Sequence, residues 1–229
     1  MRLRRDQEGM TLIELMVTIF VLGILGTVVV TLFVNVSTTF TRDRAATDST
    51  NIAAIGINEV TKVIRAGTEI RVAGATLNDP VFVAADKEHM VLHAYLSDSS
   101  TGELAPVKVE LRINPTTREL TERRWSSSKN GAGYWIFGGT PGATRTIART
   151  IPAISPPLAS GQKYLFTYYD AANVELVIAV GGLTDAQRRA VAAVQVTVTV
   201  QADLSGRAKP VTLQNTVGIP NLGVSRVGP

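Results

Sequence analysis

The sequence predicts an α+β fold, one long N-terminal α-helix packed on an antiparallel β-sheet domain. Three observations predict it. No charged residue occurs from Leu15 to Thr41, no proline occurs before Pro80, and beyond Gly67 the apolar residues switch to a period of two. Helix comes first and strands follow, the order of an α+β chain.

The chain has 229 residues, enough for one ordinary domain plus an extra element. Apolar residues make up 45% and charged residues 18%, a composition that fits a globular body joined to a membrane-type segment. The formal net charge is +4. Removing the three arginines and two acids of the first nine residues leaves 20 basic against 17 acidic residues, too mild an excess to argue by itself for nucleic acid or anionic lipid. Cysteine is absent, which excludes disulfides and thiolate metal sites.

The first element is the apolar run. From Leu15 to Thr41 a helix would be roughly 40 Å long, more than the hydrocarbon core of a bilayer requires. Arg2, Arg4 and Arg5 precede it, while Arg42, Asp43 and Arg44 after it are mixed in sign. Basic flanks stay in the cytoplasm, so the expected topology is N-terminus inside and body outside. A cleaved secretory signal is disfavoured because no small-residue cleavage site follows the run. A plain signal anchor explains length and topology but not Glu14, whose carboxylate would cost about 2.5 to 3.5 kcal/mol inside the bilayer unless it meets a partner.

The stretch Glu8-Gly9-Met10-Thr11-Leu12-Ile13-Glu14-Leu15 resembles the class III signal of type IV pilins and type II secretion pseudopilins. The resemblance implies that a membrane prepilin peptidase cuts after Gly9 and methylates the new amine of Met10. It implies further that Glu14 pairs with the amine of an adjacent subunit during assembly. Phenylalanine is commoner than Met10 at that place in the family, but a large apolar residue is kept. Physical chemistry supports the pairing, because cleavage would create an α-amino group with a reference pKa of about 7.7 to 8.0, cationic at neutral pH. In low dielectric an anion and a cation attract strongly.

The resulting organisation is a cytoplasmic leader (1–9), a membrane or filament-core half of the helix (10–41), an amphipathic half (42–67) and an extracytoplasmic β-rich domain (68–229). In the second half Ile52, Ile55, Val60, Val63 and Ile64 recur at helical steps, and Gly67 is placed to cap the C-terminus. Gly23 and Gly26 each weaken the helix by about 1 kcal/mol relative to alanine, and serve either close packing in the membrane or local melting. Major pilins commonly carry a helix-bending proline here. Its absence makes the chain more similar to minor subunits.

Strands are expected over 69–72, 81–84, 90–96, 107–113 and 119–125, then over 144–151, 164–169, 176–180, 194–201 and 210–217. Val107, Val109, Leu111 and Ile113 alternate with Lys108, Glu110 and Arg112, and the "NPTT" that follows predicts a hairpin turn. Residues 184–190 predict a short helix with Asp185 in its first turn and Arg188 and Arg189 in its last. The stretches "ATDSTNIAAIGINEVTKVIRAGTEI", "YLFTYYDAANVEL" and "LTDAQRRAVAAVQVTVTV" resemble the late helix and C-terminal part of J-type pseudopilins and PilW-like minor pilins.

Residues 126–144, "SSSKNGAGYWIFGGTPGAT", predict a long loop whose aromatics either tuck beneath it or form a contact patch. His89 and His93 have the spacing of a helical zinc pair but sit in a strand-like stretch, where four residues span about 13 Å and do not share a metal. No nucleophile elbow, phosphate loop or dinucleotide fingerprint is present, so no enzyme and no cofactor are expected. Arg123, Arg124, Lys129, Arg145 and Arg149 around the aromatic loop keep nucleic acid in view as a minor partner. The function expected is therefore a minor pilin or pseudopilin, with other subunits, the prepilin peptidase and the cytoplasmic membrane as partners. The alternative is a membrane-anchored ligand-binding domain, for adhesion or DNA uptake, that never polymerises.

Overall fold

The computed structural model describes residues 10–71, 77–97, 104–154, 156–158, 160, 162–203, 205–206 and 208–222. The chain divides into two compact units, one ending at Arg44 and the other beginning at Ala45. Among the described residues the helix α1 (Leu12–Arg65) supplies the regular structure of the first unit and the opening element of the second. Every described residue of the first unit up to Arg44 is exposed.

In the second unit α1 buries Ser49, Ala53, Gly56, Ile57, Val60, Thr61, Val63 and Ile64, a stripe at helical spacing. It packs on antiparallel β-structure, the pilin-like α+β arrangement expected. A five-stranded sheet has the order β1-β2-β3-β4-β7, formed by β1 (Phe82–Ala85), β2 (His89–Ser97), β3 (Leu104–Ile113), β4 (Leu120–Trp125) and β7 (Arg145–Ala148). A three-stranded sheet has the order β10-β9-β8, formed by β8 (Phe166–Tyr169), β9 (Ala193–Val200) and β10 (Val211–Gly218). Both sheets contribute to one apolar cluster with the α1 stripe, through residues such as Leu92, Val109, Leu120, Phe166, Val196 and Val198.

Small residues let α1 reach both sheets. A Cβ added at Gly56 would stand 3.1 Å from Ala148 Cβ of β7 and 3.5 Å from a Val198 methyl of β9. Ser49 Oγ donates to the Ala45 carbonyl at 2.8 Å and accepts the Ala202 N–H at 3.0 Å, tying the helix to the end of β9. Asn215 of β10 donates to Thr61 Oγ1 at 3.3 Å. Ile55, counted in the expected apolar stripe, is exposed instead, because two residues from both Ala53 and Ile57 it falls on the opposite face of the helix.

Gly67 follows the helix but adopts no left-handed conformation, so it is not the cap expected. Its N–H closes a tight turn on the Ile64 carbonyl at 3.0 Å. A Cβ there would lie 2.8 Å from a Val81 methyl and 2.9 Å from the Ile64 carbonyl oxygen, so glycine is required by close approach. Residues 69–71 form no strand; Ile70 makes a single bridge to Asp79, and Val72 lies outside the described residues. Leu176–Val180 is likewise no strand. Leu176 and Ile178 pack on the core while Val177 and Val180 stay exposed, but the glycines at 181 and 182, both at φ +95°, turn the chain back before a ladder forms. The short helix α2 (Asp185–Ala190) begins at Thr184, whose hydroxyl accepts the Gln187 N–H at 3.3 Å while Gln187 Oε1 accepts the Thr184 N–H at 3.0 Å.

The expected long loop at 126–144 contains a hairpin, β5 (Ser127–Lys129) paired with β6 (Trp135–Phe137). Asn130 closes its turn, its Oδ1 accepting the Ala132 and Tyr134 N–H groups at 3.0 Å. Glycine-rich composition concealed strands of only three residues each.

One charged cluster joins α1 to the five-stranded sheet. Glu122 of β4 is only 2% exposed and faces the helix side. Its carboxylate accepts bonds from Arg145 at 2.5 and 3.1 Å and from Arg124, and Arg145 also donates to Glu59 of α1 at 2.7 Å. A buried carboxylate without partners would cost several kcal/mol, so the two guanidiniums are what make Glu122 tolerable. The Arg145 hydrogen bond holds the Glu59 pKa below the ordinary carboxylate range. A depressed carboxylate contributes stability above its unfolded-state pKa and loses it as pH falls through the folded value. Arg145→Gln is therefore expected to lower stability by on the order of 3 kcal/mol at neutral pH. It should also flatten the acid limb of the stability profile, both readable by denaturant titration across pH.

Candidate functional site: the start of the long helix

The first described residue, Met10, is 62% exposed, and Gly9 lies outside the described residues. Helix α1 is opened by Thr11. Its Oγ1 accepts the Glu14 N–H at 3.4 Å, and its carbonyl accepts the Leu15 N–H at 3.1 Å, the first bond of the helical ladder. Thr11 is thus the N-cap and Glu14 the third helical residue, the Thr-x-x-Glu spacing of a capping box. Sequence reading fixed on the glutamate and missed the cap, although the threonine three residues before it was the available signal. A carboxylate in the first turn also sits at the positive end of the helix dipole, worth about 0.3 to 1 kcal/mol.

Beyond the cap the surface is apolar all round. Leu12, Ile13, Leu15, Met16, Val17, Ile19, Phe20, Val21 and Leu22 are all exposed, and the pattern continues to Phe40. The helix contains an 18-residue window apolar enough to cross a membrane, none of it buried by the described residues. Exposed apolar patches beyond a few hundred Å² mark contact with protein or lipid.

Polar side chains within this run satisfy their own donors. Thr27 donates to the Gly23 carbonyl at 2.9 Å, Thr31 to Thr27 at 2.8 Å, and Thr38 and Thr39 both to Asn35 at 2.9 Å. Thr18 reaches the carbonyls of Glu14 and Leu15. Such back-bonding lets a hydroxyl sit in hydrocarbon without an unmet donor. A Cβ added at Gly23 or Gly26 would meet no atom within 4 Å, so no packing among the described residues requires those glycines.

The other candidates from the sequence are scattered. His89 lies 2.9 Å from Glu110, while His93 bonds the Pro80 carbonyl at 3.2 Å and stacks on Phe137, so the two histidines serve different partners. The five basic residues around the hairpin each have a partner in this chain. Arg123 bonds Thr144 at 3.1 Å, Arg149 pairs with Glu119 at 3.3 Å, and Arg124 and Arg145 hold Glu122. The ammonium of Lys129 stands 5.1 Å over the Trp135 ring, as that of Lys108 stands 4.6 Å over Trp125. Each indole thus has one face occupied by a lysine.

Residues 4–30 match the family described as prokaryotic N-terminal methylation motif. The match covers the capped helix start and the first part of the apolar run, and it supports the type IV pilin and pseudopilin family. No curated protein matches the chain.

Replacing Thr11 by alanine removes the cap and is expected to cost the first turn about 1 kcal/mol. Hydrogen exchange at the Leu12–Glu14 amides should accelerate accordingly, with Thr11→Ser restoring protection.

Proposed function

We propose that the protein is a minor pilin or pseudopilin, a structural subunit of a type IV pilus or type II secretion-like filament that acts in assembly initiation or at the tip. It enters the cytoplasmic membrane with its N-terminus inside. Prepilin peptidase cuts between Gly9 and Met10, and the amine of Met10 is methylated. The subunit then leaves the bilayer through the helix–helix contacts of residues 10–41, with the β-rich body outside.

The observation that carries this reading is the methylation motif at residues 4–30 on a helix whose apolar surface its own chain leaves bare. In lipid that surface is solvated, and in a filament the helices of neighbouring subunits replace the lipid. In this reading Glu14, which is exposed in the first turn, pairs with the Met10 amine of a neighbour. The pairing would set the axial register between subunits, since an unpaired carboxylate in an apolar bundle is expensive. A proline-free helix supports a minor rather than a major subunit.

Processing is checked by mass spectrometry of protein taken from membranes, where the mature chain is expected to begin at N-methylated Met10. A protein that still begins at Met1 would sink the proposal. For the registry role, Glu14→Ala should insert and be cleaved normally but be lost from sheared filaments. Undiminished incorporation would transfer the weight to the non-polymerising binding domain.

A further inference from the structure

The outer face of the five-stranded sheet carries His89, Val91, His93 and Tyr95 on β2 and Lys108, Glu110 and Arg112 on β3. His93 is the exception among them, being only 4% exposed. The β5–β6 hairpin covers it. Phe137 stacks on the imidazole with ring centroids 4.8 Å apart and planes 13° from parallel. The hairpin is attached at its base by two backbone bonds, Gly138 N–H to the Ser126 carbonyl at 3.0 Å and Gly142 N–H to the Arg124 carbonyl at 2.8 Å.

The hydrogen bond of His93 fixes its protonation. Pro80 offers a carbonyl, which only accepts, so Nδ1 carries the proton and the neutral ring leaves Nε2 bare. The charged groups around it are Lys108, directly opposite on β3, and Asp79, beside Pro80. In the hairpin, Lys129 has its ammonium over Trp135. On its own strand, His89 is turned to Glu110. A second cation at His93 would face Lys108 and be desolvated under Phe137, with Asp79 the one anion among the described residues that offsets it.

We propose that the β5–β6 hairpin is an acid-opened flap, closed on the sheet while His93 is uncharged and lifted when His93 takes up a proton. Burial lowers the pKa of His93, against opposing contributions from the Pro80 carbonyl and Asp79. The closed form therefore binds a proton less well than the open one. Closure is complete above the ordinary histidine pKa of about 6.5 and weakens as pH falls below it. Opening uncovers Phe137 and a sheet face that is then cationic at His93 and Lys108.

The chain has two tryptophans, Trp135 in β6 and Trp125 at the end of β4 where the hairpin begins, so tryptophan emission reports on the flap and its junction with the sheet. Full-length protein in detergent is titrated from about pH 7.5 to about pH 5, the range in which a histidine changes charge. Expected are a reversible shift of the emission to longer wavelength and an unchanged far-ultraviolet circular dichroism spectrum. His93→Gln, uncharged throughout and able to donate to Pro80, and His93→Phe should both abolish the shift. His89→Gln should preserve it. No shift in the native protein, or a shift that survives both His93 substitutions, overturns the flap.

Discussion

An apolar helix surface that its own chain does not bury is the constraint on which the rest depends. Residues 12–40 are all exposed, and most of their side chains are hydrocarbon. Water is a poor solvent for such a surface, at roughly 25 cal/mol for each Å² left in contact with it. The segment is therefore stable only in lipid or among other helices. Both environments forbid unmet backbone groups, which a capped, uninterrupted α-helix avoids. Glu14 is the one ionisable side chain in this run, and it lies in the first turn of the helix.

The second unit answers the same problem differently. There α1 has a partner in its own chain, and the contact is built for closeness. Gly56 and Ala53 bring the helix backbone to the line where β7 and β9 both touch it, so one short stretch of helix joins two sheets into one core. Close approach leaves little room for water at the edges, and Glu122 is enclosed as a result. Its enclosure explains the arginines. Arg145 bonds both Glu59 on the helix and Glu122 on the sheet, so the charge that neutralises the buried carboxylate also clamps the two layers.

What the sequence disclosed follows from the length of each signal. The charge-free run, the alternation of β3 and the acid-then-base pattern of α2 extend over enough residues to be read without tertiary knowledge. The helix stripe was read only in part, because hydrophobicity marks Ile55 as core when the true contact is made by Ser49, Ala53 and Gly56, whose value lies in being small. Gly67 looks like a helix cap in one dimension and proves to be a close-packing residue in three. Leu176–Val180 has the composition and period of a strand, yet a strand also needs a neighbour to pair with. The β5–β6 hairpin is the converse case, three-residue strands held by a turn and by the face they cover. At the functional end, the family signal was legible and Thr11 was overlooked, since a cap is defined by a bond to a backbone N–H that composition does not reveal.

The hydroxyls along α1 show how one helix is fitted to two surroundings. Thr27, Thr31, Thr38 and Thr39 direct their donors to carbonyls of the preceding turn. In hydrocarbon that is the whole requirement, because an acceptor lone pair left over is less costly than a stranded donor. Ser49 makes the same bond to Ala45, but its remaining acceptor takes the Ala202 N–H from the sheet domain, and Thr61 accepts from Asn215. Ser49, like the threonines of the first half, spends its donor inside the helix, and in the second half the acceptors of Ser49 and Thr61 are used to hold a neighbour. The change coincides with the end of the bare apolar surface, where contacts begin to come from the chain itself rather than from whatever surrounds it.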